Sequence, residues 1–152
     1  MKTLNFKKVL IAVDYDQTAQ KVAEVGFSLA SCMNAQTILL HVIAERPVYY
    51  SDYMYMGELR VNIMPDLNTS TQEFLDKLKN HLGDTTIQTL VKKGEVAETI
   101  LTTAIELNAD MIVMGSHSRK WLENIIMGSE TADVLRNTMI PLFIVPTKKE
   151  PD

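Results

Sequence analysis

Five short apolar runs, separated by stretches whose apolar residues recur at helical spacing, constrain the fold of this chain more than any other feature. Val9-Leu10-Ile11-Ala12-Val13 is apolar at every position, whereas a strand with one face in water would alternate. Thr37 to Ile43 and Met111-Ile112-Val113-Met114 share that character, and Leu142-Phe143-Ile144-Val145 closes the series. Thr86 to Val91 is weaker and partly alternating, which suits a strand nearer an edge. Between these runs, Ala19, Val22, Ala23, Gly26, Leu29, Ala30 and Met33 mark one helix, and Phe74, Leu75, Leu78 and Leu82 a second. Ala97, Ile100, Leu101, Ala104 and Ile105 mark a third, and a last helix is expected from roughly Ser129 to Arg136. Strands alternating with helices predict a single α/β domain over residues 1–152. Its five-stranded parallel sheet carries helices on both faces. Ligands in such sheets sit outside the carboxyl ends of the strands at a topological switch point, which directs attention to the residues following each strand.

Composition narrows the functional classes. The 152 residues are 46% hydrophobic and 22% charged with a net charge of −4, the balance of a globular chain rather than a disordered one. A mildly acidic, mixed surface offers no footprint for nucleic acid or an anionic membrane. The N-terminal apolar run is far too short to span a bilayer and lacks a signal-type region, so a cytoplasmic address is expected. The single cysteine, Cys32, falls in an apolar helical stretch and is expected to be a buried structural thiol. His41 is expected to be a satisfied group inside its strand, and His81 an exposed residue near a helix end. One segment breaks the rhythm: a long irregular loop over about 44–65 carries Tyr49, Tyr50, Tyr53, Met54, Tyr55 and Met56. It reads equally as a lid or contact loop and as a local turn that buries its own aromatics.

The densest chemistry lies in Met114-Gly115-Ser116-His117-Ser118-Arg119-Lys120, continuing to Gly128-Ser129-Glu130. A strand ends, a polar loop follows, and Gly-Ser opens the last helix. Backbone N–H groups at a helix start form an anion site, glycine lets phosphate approach closely, and Arg119 or Lys120 would add charge. The same residues also suit a plain turn with Ser129 as the helix N-cap.

This string resembles the nucleotide loop of the universal stress protein family: Gly, two residues, Gly, nine residues, Gly, then Ser or Thr. Gly115, Gly128 and Ser129 match, while Ser118 stands where the second glycine is usual. The likeness extends through Lys8 to Asp14, Leu40-His41-Val42, Gly94, Ala109 to Gly115 and Ile140 to Pro146. It implies a Rossmann-like fold of the adenine nucleotide alpha-hydrolase-like type that binds ATP, or ADP or AMP, with Mg²⁺ riding on the phosphates. Carried over by position, Ala12, Val13, Asp14 and Val42 would line the adenosine pocket. Met114, Gly115, His117, Ser118, Arg119, Gly128, Ser129 and Glu130 would surround ribose and phosphates. The resemblance further implies a homodimer through Leu142, Phe143, Ile144 and Val145, a regulatory stress-response role, and at most slow hydrolysis. Serine in place of glycine at position 118 costs on the order of 1 kcal/mol if that position takes positive φ.

Two other readings stand beside this one. The same fold without nucleotide would be a dimerisation and interaction module. Alternatively, Asp14-Tyr15-Asp16-Gln17-Thr18 matches the Asp-x-Asp-x-Thr opening of haloacid dehalogenase-like phosphatases, in which Asp14 would attack phosphate and Asp16 would handle the proton. That chemistry also needs an acidic pair after a later strand, and Gly-Ser-His-Ser-Arg follows Met114 instead. The P-loop and Gly-x-Gly-x-x-Gly patterns are absent.

Overall fold

The parallel sheet predicted from the apolar runs is present in the computed structural model, which describes residues 3–45, 68–116 and 127–147. Strands β1 (Lys8–Ala12), β2 (Gln36–Ala44), β3 (Gln88–Gly94), β4 (Met111–Gly115) and β5 (Leu142–Val145) pair in the order β3-β2-β1-β4-β5, every pair parallel. Helices α1 (Ala19–Cys32), α2 (residues 68–82), α3 (Val96–Glu106) and α4 (Ser129–Asn137) connect and flank them. The long loop lies outside the described residues from position 46 on, as do His117, Ser118 and Arg119.

Alternation along the central strands feeds two separate cores. Val9, Ile11 and Val13 pack with Leu39 and Val113 under α1 and α2, whose Ala23, Ala30, Leu75 and Leu78 cover them. Leu10, Ile38, Leu40 and Ile112 face the other way, beneath Ala97, Ile100 and Ala104 of α3 and Val134 of α4. Continuous apolar strands follow from this arrangement, because β1 is wanted by both cores. Cys32 departs from expectation and is exposed. The buried stripe of α1 runs Ala19, Val22, Ala23, Gly26, Ala30; two residues past Ala30 the helix has turned about 200°, so residue 32 faces water.

The helix ends explain where each strand begins. Asn34 and Asn108 take positive φ (53° and 54°), and the next amide returns to the helix, Ala35 N to Ala30 O and Ala109 N to Ala104 O, both at 2.8 Å. Gln36 N and Asp110 N then join the β1 neighbourhood through Lys7 O and Lys8 O. β3 starts two residues later than the sequence pattern suggests, because the Asp84 carboxylate accepts from both Thr86 N and Thr86 Oγ1 and holds that stretch in a turn.

Ahead of α3, Gly94 has φ +151°, and a Cβ there would meet Thr99 Oγ1 at 2.6 Å. Glu95 then caps the helix, its carboxylate accepting from Ala97 N at 3.3 Å and Glu98 N at 2.7 Å. Losing such a cap costs about 1 kcal/mol. Glu95→Ala is therefore expected to lower the thermal midpoint by roughly 2–4 °C, while Glu95→Ser keeps most of it. Equal loss in both variants would show that the cap bonds are not what matters.

Candidate functional site

The strand order reverses between β1 and β4, and there the sheet opens into a cleft. Counting the part open to solvent, it measures about 480 Å³. Its walls come from six elements. Ala12, Val13 and Asp14 leave β1, Leu40 and Val42 come from β2, Thr18 and Val22 belong to the start of α1, and Val96 and Ile100 to α3. Met114 and Gly115 end β4, and Glu130 and Thr131 belong to the first turn of α4. The floor is apolar, and polar groups converge from both strand ends.

Of the residues proposed from sequence, Ala12, Val13, Asp14, Val42, Met114, Gly115 and Glu130 meet in this cleft. Gly128 and Ser129 stand at the head of α4 without lining it. Thr18, Val22, Leu40, Val96, Ile100 and Thr131 were not singled out. Their apolar or capping character marks them as core or helix-start residues, and only the fold brings them to the rim.

The head of α4 has a specific construction. Gly128, not Ser129, is the N-cap, with φ −66° and ψ 158°, and it supplies no side-chain cap bond. Its own N–H is used, donating to Ser116 O at 2.7 Å, and Ser116 Oγ in turn accepts from Thr147 N at 3.0 Å. Ser116 thus anchors both described ends of the 117–126 stretch and the end of β5. Thr131 Oγ1 donates to Gly115 O at 2.9 Å, locking the helix against β4. The amides of Ser129, Glu130 and Thr131 are left without helical acceptors, as at every helix start. Among the described residues no side chain caps them. Glu130 sits in this first turn and offsets part of the helix field. Gly115 is tightly enclosed: a Cβ there would meet Thr147 Cγ2 at 3.0 Å and Val22 Cγ2 at 3.1 Å.

Glu24 is held below the ordinary carboxylate range by the hydrogen bond from His81 on α2, and Asp84 by that from Thr86. Both lie away from the cleft. His81 therefore serves an exposed bridge to Glu24 at 2.7 Å. Asp16 Oδ1 accepts from Thr18 N at 2.8 Å and Thr18 Oγ1 at 2.6 Å, so this carboxylate shapes the turn into α1. Among the described residues no trio of His, Cys, Asp or Glu is placed to hold a metal ion. The cleft itself offers the carboxylates of Asp14 and Glu130. A divalent ion there would take most of its oxygen ligands from phosphate and water.

The family model described as "Universal stress protein family" matches residues 5–146. The chain belongs to that family. A universal stress protein of Methanocaldococcus jannaschii is 28% identical over 162 residues, covering 94% of this chain and 96% of its own. Universal stress protein A of Escherichia coli is 26% identical, covering 95% and 97%. Among solved structures, a universal stress protein of Lactobacillus plantarum superposes with a TM-score of 0.81 at 16% identity, over 94% of this chain and 99% of that one. Two more distant folds of the family were solved with ligands: one in complex with cAMP (TM-score 0.66, 19% identity, 95% and 100% covered) and one from Archaeoglobus fulgidus in complex with dAMP (0.60, 17%, 93% and 98%). Membership of the universal stress protein family leaves the phosphatase reading resting on the Asp-x-Asp-x-Thr match alone.

Proposed function

We propose that this universal stress protein, working as one domain in the cytoplasm, binds an adenine nucleotide in the β1/β4 cleft, with ATP and Mg²⁺ as the fullest form of the ligand. The observation that carries the reading is the cleft itself: an apolar floor at the switch point, with the side-chain-free amides of α4 at its edge. Adenine would lie on the apolar side against Val13 and Val42, and Asp14 would accept from the adenosine moiety. Ribose and phosphates would run past Gly115 toward Ser129, with His117, Ser118 and Arg119 contributing from the connecting loop. Two relatives of the fold that hold cAMP and dAMP support the choice of adenine. The role would be regulatory, and any hydrolysis slow.

The homodimer would form through Leu142, Phe143, Ile144 and Val145. β5 is a sheet edge, and Phe143 is 38% exposed there, with Met139 98% exposed just before it. The same edge is what favours the second reading, a nucleotide-free interaction module.

Calorimetric titration with ATP and Mg²⁺ separates the two. Saturable binding near 10 μM, about 7 kcal/mol, is expected for the nucleotide-stripped protein. No heat at high protein concentration, with a dimer persisting in sedimentation, would leave the interaction module as the better account.

A further inference from the structure

From the hydrogen bonding of β2 we infer that His41 is a positioning residue for this cleft: its ring holds the backbone that carries Val13 and Asp14 to the ligand. The inference rests on the nucleotide-binding reading. His41 is only 6% exposed and lies on the α1/α2 side of β2, away from the cleft, so it does not itself line the pocket. Its Nδ1 is 2.7 Å from the carbonyl oxygen of Val13. A carbonyl can only accept, so Nδ1 carries the hydrogen whatever the charge of the ring.

The bond falls at a critical point of the chain. β1 ends at Ala12, and its regular pairing with β2 stops at Ala12 opposite Leu40. Val13 N still reaches Leu40 O at 2.9 Å, and the His41 ring then takes the Val13 carbonyl. The side chain thus extends the strand pairing by one more rung, through the peptide that joins Val13 to Asp14. Both of these residues line the cleft. The next residue is held as well: the Tyr15 ring lies 4.6 Å from the Phe74 ring of α2 and 6.4 Å from that of His41, centroid to centroid. Backbone and ring contacts therefore fix residues 13 to 15 from the face opposite the ligand. Pre-organisation of this kind strengthens binding by removing the ordering cost from the binding step.

The test compares His41→Asn, whose amide nitrogen can donate from nearly the place of Nδ1, with His41→Phe, which keeps ring volume against Tyr15 but has no donor. Leaving a buried carbonyl without a donor is expected to weaken ATP binding about tenfold in His41→Phe, with His41→Asn within about threefold of wild type. Equal affinity in all three proteins would overturn the positioning role, as would equal loss in both variants, which a purely steric role gives. A second measurement does not depend on nucleotide. In ring-¹⁵N spectra of the wild type, His41 should show a proton on Nδ1 that exchanges slowly with water, and a ring protonated only on Nε2 would overturn the inference. Amide exchange at Asp14 and Tyr15 should quicken in His41→Phe and not in His41→Asn. If the wild type binds no nucleotide, the proposed function fails, and the exchange rates alone decide whether His41 holds the segment.

Discussion

Arginine in place of Gly128 abolishes ATP binding while leaving the fold intact: this is the expected result of the most direct assault on the proposed phosphate site. The backbone at Gly128 has φ −66° and ψ 158°, which any residue adopts, so the substitution introduces no backbone strain. Its backbone bonds, N–H to Ser116 O and carbonyl from Ala132 N, survive the change. What changes is the approach to the Ser129, Glu130 and Thr131 amides, which follow Gly128 directly in the chain and which a long side chain at the N-cap is expected to obstruct. Hydrogen bonds to a charged group contribute about 1.5–3 kcal/mol each, so denying phosphate two of them lowers affinity at least about a hundredfold. Arginine at a helix N-terminus also opposes the helix field, at a cost to stability of about 0.3–1 kcal/mol. Calorimetry with ATP and Mg²⁺, run beside circular dichroism, checks both parts. Wild-type affinity in a folded Gly128→Arg protein would mean that phosphate does not lie at the α4 N-terminus.

The second large effect concerns stability. Gly26 lies mid-helix in α1, directly over the sheet, where a Cβ would come within 2.7 Å of Ile11 Cδ1, 2.9 Å of Ile11 Cγ1 and 3.2 Å of Val113 Cγ1. Ile11 and Val113 are fully buried on adjacent strands, so neither can retreat into solvent. Gly26→Val is expected to destabilise the protein by about 3 kcal/mol through overpacking. That corresponds to a fall of roughly 6–12 °C in thermal midpoint for a chain of this size. Gly26→Ala already brings that Cβ against Ile11, and alanine's better helix propensity offsets only part of the cost, so its midpoint should fall between those of wild type and Gly26→Val. A Gly26→Val midpoint within 2 °C of wild type would mean that α1 rides higher over β1 and β4 than described.

The same position shows why so much of the fold was legible. A helical period that includes a glycine among alanines and valines signals close packing on an apolar sheet, and the continuous runs at Val9 and Met111 signal strands covered on both sides. Two strongly patterned centres therefore located β1, β2 and β4, and the partial alternation of β3 placed it at an edge. Where competing local bonds decided, the pattern misled: Asp84 pulled Thr86 out of β3, and the turn of α1 carried Cys32 past its buried stripe. Half of the cleft was visible because strand ends and Gly-Ser starts have sequence signatures. Thr18, Val22, Leu40, Val96, Ile100 and Thr131 have none, since each reads as an ordinary core or helix-start residue until the sheet order brings β1 beside β4. The N-cap is the sharpest case. Sequence favours serine at that place, yet Gly128 takes it, because its N–H is engaged by Ser116 and Thr131 is already drawn to Gly115.

The neighbours β1 and β4 also set a timetable. Val9 pairs with Met111, and Asp110 Oδ2 accepts from the amides of Lys7 and Lys8 across 103 and 102 residues of chain. During synthesis at about 5–20 residues per second, β1 waits on the order of 5–20 s for its second partner. Meanwhile its far edge presents unpaired amides and carbonyls, a state prone to wrong pairing. The cleft, made by that same junction, has no early form in the nascent chain. A ligand bound there stabilises the finished protein and can do nothing for the half-made one.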